Sequence, residues 1–259
     1  MGGADLNRFC AMTTTNDTAP APSGTPMFYS RPVPLQSDVH ADMRILPGRL
    51  DFAAGSNAIP LVVTEFAPAL HHFPILFGGE NAVPMAALGF GEYNLFIQDG
   101  FWVEGAYVPA YVRRHPFIFI DTDNAENFIL GVDEASERVV KGGEEGQPLF
   151  VDGKATDLVQ QVLEFCGQYT RDHEHTRAFA EALLAQDLLV TRNANVRLND
   201  GRELALQGFR VVDVEKFTAL PDDVVLDWHR KGWLALVHQH LMSLGRFGDL
   251  SRREAERAV

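Results

Sequence analysis

Residues 196–206, VRLNDGRELAL, carry the clearest local pattern in the chain. Val196 and Leu198 alternate with polar residues before an Asn-Asp-Gly turn, and Leu204 and Leu206 alternate with polar residues after it. Alternation with a period of two around such a turn predicts a β-hairpin. The sequence FRVVDV, a few residues further on, predicts a third strand.

The part of the chain before this hairpin is predicted to be mostly strands. RPVPLQ predicts an edge strand, because proline has no N–H to donate to a ladder, and MRILPG and PILF predict further short strands. Asp99-Gly100 predicts one hairpin turn, and FIFIDTDNAENFILGVDE predicts a second hairpin around a polar turn at Asp121 to Asn127. The β-branched start of AIPLVVTEFAPALHHF suits a strand, but its apolar residues fall at helical spacing, which favours a helix from about Leu61 to His71, bent or interrupted at Pro68.

Helical patterns dominate the last hundred or so residues. A stripe that starts near Thr156 predicts one helix, and a second helix is predicted from about His173 to Gln186. A helix with Pro221 in its first turn is predicted to end near Gly232, and WLALVHQHLMSL predicts another. The first stripe consists of Leu158, Val162, Phe165 and Tyr169, and the second helix places Phe179, Leu183 and Leu184 on its apolar face.

These patterns predict an α+β protein with a β-rich N-terminal half and a helical C-terminal half that contains an embedded hairpin. Residues 1–26 are rich in Thr, Ala, Pro and Gly and predict a disordered leader. Residues 27–250 are predicted to form a single domain, β-rich over 27–140 and mainly helical over 155–250, and 251–259 a charged tail. Because each half alone has a small core, we expect one cooperative unit.

Composition narrows the class of partner and the compartment. The formal net charge is −13, which disfavours nonspecific attraction to nucleic acid or anionic lipid, so we expect no nucleic-acid partner. No apolar run has the length of a membrane span, and the N-terminus lacks the features of a signal peptide. With Cys10 and Cys166 predicted to be unpaired thiols, a cytoplasmic location without membrane insertion is expected.

The sequence contains histidine sets but no motif for a metal, cofactor or nucleophile. His71-His72, His173 with His175, and His238 with His240 are adjacent or two apart, whereas ligands on one helix face need a spacing of three or four. Neither GxSxG nor a nucleotide-binding glycine motif occurs. We therefore predict no metal and no cofactor, and the catalytic residues, if the chain is an enzyme, are unknown.

Residues 107–119, YVPAYVRRHPFIF, hold the candidate ligand-binding residues. The pattern predicts a short helix that ends near Arg113 and Arg114, followed by a strand after Pro116. Cations at a helix end oppose its dipole, which favours a structural role, while guanidinium groups also match carboxylate ligands. The candidates are Tyr107, Tyr111, Arg113, Arg114 and His115, together with His72.

Several segments resemble the SapC-like family of soluble bacterial proteins. They are NAIPLVVTEFAPALHHFPILF, LGFGEYNLFIQDGFWVEGAYVPAYVRRHPFIF, GFRVVDVEKFTALP and HQHLMSL, and the similarity covers roughly residues 28–250. Its hallmarks are Tyr107, Pro109, Arg113, Arg114, Pro116 and Phe117, then Glu65-Phe66 and Pro74, and Ser243-Leu244. A transporter permease that shares the family name must span the membrane, so its role is not carried over.

The resemblance implies an association with peptide or nutrient uptake or with envelope physiology. Family members occur in gene neighbourhoods with TonB-dependent receptors, flavin-dependent halogenase-like enzymes and cupin-like proteins, which makes such proteins candidate partners. The leading hypothesis is an accessory protein that binds a peptide or a partner enzyme. The alternative is a metal-dependent enzyme, of hydrolase or oxygenase type, with a cleft lined by histidine and arginine.

Overall fold

The computed structural model describes residues 25–121, 128–197, 201 and 203–257. Strands make up 27% and helices 38%, with β-sheets in the N-terminal half and a helical C-terminal region. The chain is therefore an α+β protein, as predicted. The predicted leader (except Thr25 and Pro26) and most of the predicted turns at 121–127 and 199–201 lie outside the described residues.

The elements follow one another along the chain as short strands first and longer helices later. The strands are β1 (Pro32–Pro34), β2 (Met43–Ile45), β3 (Ala58–Pro60), β4 (Ile75–Gly78), β5 (Val83–Ala87), β6 (Ile97–Gln98), β7 (Phe101–Trp102), β8 (Phe117–Asp121), β9 (Phe128–Asp133), β10 (Val139–Lys141), β11 (Gln147–Pro148), β12 (Phe150–Val151), β13 (Lys154–Ala155), β14 (Leu189–Arg197) and β15 (Glu203–Val212). The helices are α1 (Phe66–Ala69), α2 (Ala110–Arg114), α3 (Asp157–Ala185), α4 (Val214–Thr218), α5 (Asp222–Lys231), α6 (Trp233–Ser243) and α7 (Phe247–Arg257).

Contacts divide the chain into two compact units, each built from two separate stretches. The first unit contains the residues up to Arg49 and Arg113–Tyr169, and the second contains Leu50–Val112 and the residues from Thr170 onward. These limits differ from the change between residues 140 and 155 at which the sequence predicts that the β-rich part ends and the helical part begins. That residues 27–250 unfold as one domain stays a prediction.

The first unit has two three-stranded sheets and a small apolar core. One sheet has the order β1-β9-β8, with β1 at the edge as its prolines predict, and the other has the order β10-β2-β11. Side chains from both sheets and from the start of α3 form the core. Its buried members are Met43, Ile45, Phe117, Leu130, Val132, Leu149, Val159 and Cys166.

The second unit is organised around a five-stranded sheet of order β14-β15-β4-β5-β3, in which every pairing is antiparallel. Phe179 of α3 lies at the centre of an aromatic cluster and is fully buried. Its ring lies against Phe66, Phe77, Trp228 and Trp233, with centroid separations between 6.1 and 6.4 Å. Burial of such rings stabilises the packing of the helices against the sheet.

Two predicted elements have other bounds in the structure. The helix predicted from Leu61 to His71 is shorter, because Leu61 donates its N–H to the carbonyl of Pro84 in β5 and the chain turns helical only at Val63. The strand predicted for FRVVDV is the end of β15 and not a separate element. The predicted tail belongs in large part to α7.

The two helices predicted after Thr156 form one continuous helix, α3. The apolar stripe stops where the buried face carries polar residues instead, at Asp172 and Thr176. The Thr176 hydroxyl accepts the backbone N–H of Val63 at 2.9 Å, and Asp172 accepts the Thr64 hydroxyl at 3.0 Å. The hydrophobic period is therefore interrupted while the backbone helix is not, since buried polar groups are tolerated when they are hydrogen-bonded.

Candidate functional site

Glu65 anchors the start of the segment at 107–119. This buried carboxylate accepts the Tyr107 hydroxyl at 2.9 Å and the backbone N–H of Ala110 at 2.6 Å through Oε1. Its other oxygen accepts the N–H of Val62 at 2.9 Å. A carboxylate at the N-terminus of α2 satisfies an N–H that lacks a partner within the helix. Tyr107 is thus bonded within the fold, and Tyr111, only 1% exposed, is part of the core.

Arg113 and Arg114, at the end of α2, lie in different environments. Arg113 is exposed, with its guanidinium 5.1 Å from the centroid of the Phe165 ring. Arg114 is buried, and its guanidinium lies 4.6 Å from the Tyr169 ring and 5.5 Å from the Tyr29 ring. Successive residues of a helix diverge by about 100°, so the two guanidinium groups have different ring neighbours.

His115 belongs to a buried polar cluster that fastens the segment around Ser30. Asp133 accepts the backbone N–H groups of Ser30 and Arg31 at 2.9 and 2.8 Å, and its Oδ2 lies 3.9 Å from Nε2 of His115. Burial lowers the pKa of His115 to about 4, against the opposing attraction of Asp133. His115 is therefore neutral at pH 7 and is 2% exposed, so it acts in packing.

The pKa values of two neighbouring residues, Tyr29 and Cys166, are raised. Burial raises the pKa of Tyr29 to about 12, and the Tyr29 hydroxyl donates to the carbonyl of Phe117 at 2.6 Å. Burial likewise raises the pKa of the Cys166 thiol to about 11, so this thiol is not ionised at neutral pH. Cys10 lies outside the described residues. Tyr29 and Cys166 therefore both stay neutral at pH 7, because burial disfavours their ionised forms. Neutral side chains can be buried in the first unit without the cost of burying a charge.

His72 lies in the second unit in a positively charged neighbourhood. Its pKa is lowered, first by burial and then by the charges of His71, Arg253 and Arg246. The side chain is partly buried. Sequence reasoning selected His72 but not the two arginines, which are far from it in the chain and have no motif. The structure thus places Arg113, Arg114 and His115 in one unit and Tyr107, Tyr111 and His72 in the other.

His240 and Ser243 were not predicted as a pair, although their spacing places them on one face of α6. His240 Nε2 accepts the N–H of Val212 at 3.1 Å, and Nδ1 donates to the carbonyl of Ile75 at 2.8 Å. Ser243 accepts the N–H of the same Ile75 at 2.9 Å. Both side chains are fully buried. Burial lowers the pKa of His240 to about 4, so it is a neutral structural link between strands.

The predicted hairpin extends from the five-stranded sheet as an arm. We call residues 192–197 and 203–208 the β14–β15 arm. β15 pairs with β4 at Arg210 opposite Phe77, and from there outward the arm has only its own two strands. Within the described ranges, no strand pairs with the outer edge of β14, which is nine residues long. The opposite edge of the sheet, β3, has three residues and includes Pro60.

The two faces of the β14–β15 arm differ. Ala194 lies opposite Leu206 and Val196 lies opposite Leu204, and all four side chains are only partly buried. Asn195 opposite Ala205 and Arg197 opposite Glu203 are exposed on the other face. An isolated two-stranded ribbon is marginally stable in water, and its apolar face gains stability from a covering group.

These features define an α+β protein in which Tyr111, Arg114 and His115 are buried and in which no strand of the described part of the chain pairs with the outer edge of β14. A family model described as SapC matches residues 35–250, and the chain belongs to the SapC family. Searches of curated proteins and of solved structures gave no match. Among the residues described, no group of three or more His, Cys, Asp or Glu is placed to hold a metal ion. No helix in the described ranges is long and apolar enough to cross a membrane.

Proposed function

We propose that this SapC-family chain is an accessory binding protein that takes up an extended peptide segment as an added strand on β14. The segment is a free peptide or part of a partner protein, and halogenase-like and cupin-like enzymes remain the candidate partners. The proposal retains the cytoplasmic location expected from the sequence. It also fits the uptake or envelope physiology that the family resemblance implies.

The observation that carries the proposal is the open edge of β14. A strand at the edge of a sheet presents unpaired backbone donors and acceptors, and strand addition is a common mode of peptide recognition. The nine residues of β14 offer a longer edge than the three residues of β3. Beyond Arg210 no residue of β15 pairs with β4, and the side chains of the arm are exposed or only partly buried.

A peptide selection followed by hydrogen exchange tests this proposal. Random peptides displayed on phage are selected against the full-length chain, and the recovered peptides are synthesised. We expect the bound peptides to slow exchange at those amides of β14 that point away from β15. Peptides that protect other regions and leave β14 unchanged would contradict the proposal.

A pair of proline variants supplies the matched control. The N–H groups of consecutive strand residues point to opposite sides, so Asn195→Pro and Val196→Pro each remove a donor from a different edge. Hydrogen exchange of each variant without peptide shows which of them keeps the hydrogen bonds between β14 and β15. We expect that variant to lose peptide binding because it lacks an outward donor. Wild-type affinity in both variants would also contradict strand addition.

A further inference from the structure

We infer that the segment recognised by β14 is acidic, with apolar residues at alternate positions; this inference rests on the proposed function. β14 contains Arg192 and Arg197 and no Asp or Glu, so its formal charge is +2 in a chain whose net charge is −13. Both arginines are exposed. Opposite charges on neighbouring strands attract and like charges repel, so the strand favours an incoming segment with carboxylates.

The side-chain pattern of the β14–β15 arm gives the second feature of the segment. Ala194 and Val196 are partly buried, whereas Asn195 and Arg197 are exposed. Because successive residues of a strand point to opposite faces, an added strand continues both faces of the ribbon. Apolar residues at every second position of the incoming segment extend the face formed by Val196 and Leu204, and the intervening acidic residues lie on the face of Arg197.

Glu203 lies opposite Arg197 on β15 and faces the same side of the ribbon. It is on the inner side of β14, whereas the incoming segment occupies the outer side. Arg192 lies opposite the apolar Phe209 and has no carboxylate across from it. Arg192 shares its face of β14 with Ala194 and Val196, so a carboxylate beside it lies at the end of the apolar face of the segment. Part of the charge of Arg197, on the other face, is offset by Glu203.

A second copy of the chain is a less favourable occupant of this edge. Pairing two β14 strands brings their arginines onto one ribbon without a carboxylate on either strand. Two molecules of net charge −13 also repel each other. Charged side chains and irregular register both disfavour pairing of a sheet edge with other chains. β14 has both, in its two arginines and in the register shift between Arg192 and Ala194. An acidic segment is the occupant for which the same arginines are favourable.

The test uses two synthetic peptides as long as β14. Both carry valine or threonine, in the same order, at every second position. They differ only in carrying glutamate or lysine at the remaining positions. We expect the glutamate peptide to protect β14 in hydrogen exchange and to bind about tenfold more tightly than the lysine peptide at low salt. Added salt is expected to reduce this preference, because it screens exposed charges.

Charge-reversal variants complete the test. Arg192→Glu and Arg197→Glu are expected to weaken binding of the glutamate peptide and to strengthen binding of the lysine peptide. Arg230→Glu, at an exposed arginine of α5, makes the same change in net charge and is expected to leave the preference intact.

Each outcome bears on one of the two proposals. Equal protection of β14 by both peptides would overturn the acidic inference and leave strand addition standing. Binding of neither peptide would overturn the inference, and the phage selection would then decide separately whether β14 binds any peptide. Protection of β14 that rises with protein concentration, together with a dimer mass in light scattering, would identify a second copy as the occupant and also overturn it.

Discussion

Val212 of β15 and Ile75 of β4 are joined through the imidazole ring of His240. The two strands pair at Arg210 opposite Phe77. Two residues from that pair, after Arg210 and before Phe77, the ring accepts from Val212 N and donates to Ile75 O. The ring thus takes the place of a ladder hydrogen bond beside the pairing of β15 with β4. These two bonds require a proton on Nδ1 and none on Nε2, so the neutral tautomer is the structural one.

Replacing His240 by Ala is expected to destabilise the protein by about 3–5 kcal/mol. The change leaves the Val212 N–H and the Ile75 carbonyl without their partner and creates a cavity. His238→Ala is the matched control, because His238 is exposed and its ring lies 5.4 Å from that of Phe217; a loss below about 1 kcal/mol is expected. Urea unfolding measures both losses of stability. Equal losses would contradict a stabilising role for the hydrogen bonds of His240 to Val212 and Ile75.

Acidification is expected to weaken the fold between pH 6.5 and 4. The folded-state pKa values of His115 and His240 are lowered from 6.5 to about 4, so below pH 6.5 the unfolded chain binds protons that the folded chain does not. Stability is complete above that pH and falls as the pH decreases, by about 2 kcal/mol for each histidine at pH 5.

The pH effect is measured by difference, because other groups titrate in the same range. Urea unfolding at pH 7 and pH 5 is compared for the wild type and for His115→Asn. We expect the loss of stability on acidification to be smaller in the variant by about 2 kcal/mol. An identical loss in both proteins would mean that His115 does not have the lowered pKa.

Arg114 and Arg113 are expected to respond differently to replacement by Ala. Arg114→Ala removes a buried guanidinium from between the rings of Tyr29 and Tyr169 and should cost about 2–4 kcal/mol. Arg113→Ala removes an exposed side chain beside Phe165 and should cost less than about 1 kcal/mol. Thermal unfolding of the two variants decides, and unchanged melting in both would refute the structural role of Arg114.

Glu65→Ala is expected to cost about 2–4 kcal/mol. The buried carboxylate accepts three hydrogen bonds, from Val62, Tyr107 and Ala110, and its removal leaves these donors without an acceptor. Glu104→Ala, at an exposed glutamate of the same unit, should change stability by less than about 0.5 kcal/mol. Chemical unfolding compares the two, and a small loss for Glu65→Ala would show that water replaces the carboxylate.

Predictions that rest on short-range chemistry agree with the structure. The hairpin turn at Asp99-Gly100 has both residues at positive φ, 53° and 83°, as this dipeptide favours. α5 follows Pro221 and ends before Gly232, whose φ of 74° stops the helix. The hairpin that contains VRLNDGRELAL is present as β14 and β15, although both strands are longer than the pattern indicated.

The candidate site was harder to predict. The sequence selected Tyr107, Tyr111, Arg113, Arg114 and His115 because such residues often bind ligands, but their burial depends on neighbours far along the chain. Tyr29, which lies against the Arg114 guanidinium and the His115 ring, is in a segment that the sequence assigned only as the start of the strands. A ligand role for each of the six candidate residues stays a prediction.

By itself, the sequence determined the class of fold, the family and the elements whose signals lie within a few residues, because turns, caps and alternation act between neighbours in the chain. Only the tertiary structure decided which polar residues are structural and which sheet edge is open. Ile75 meets His240 and Ser243 across more than 160 residues, and no local pattern specifies such a contact. The open edge of β14 likewise depends on its place as the last strand of the five-stranded sheet, because among the described residues no further strand pairs with it.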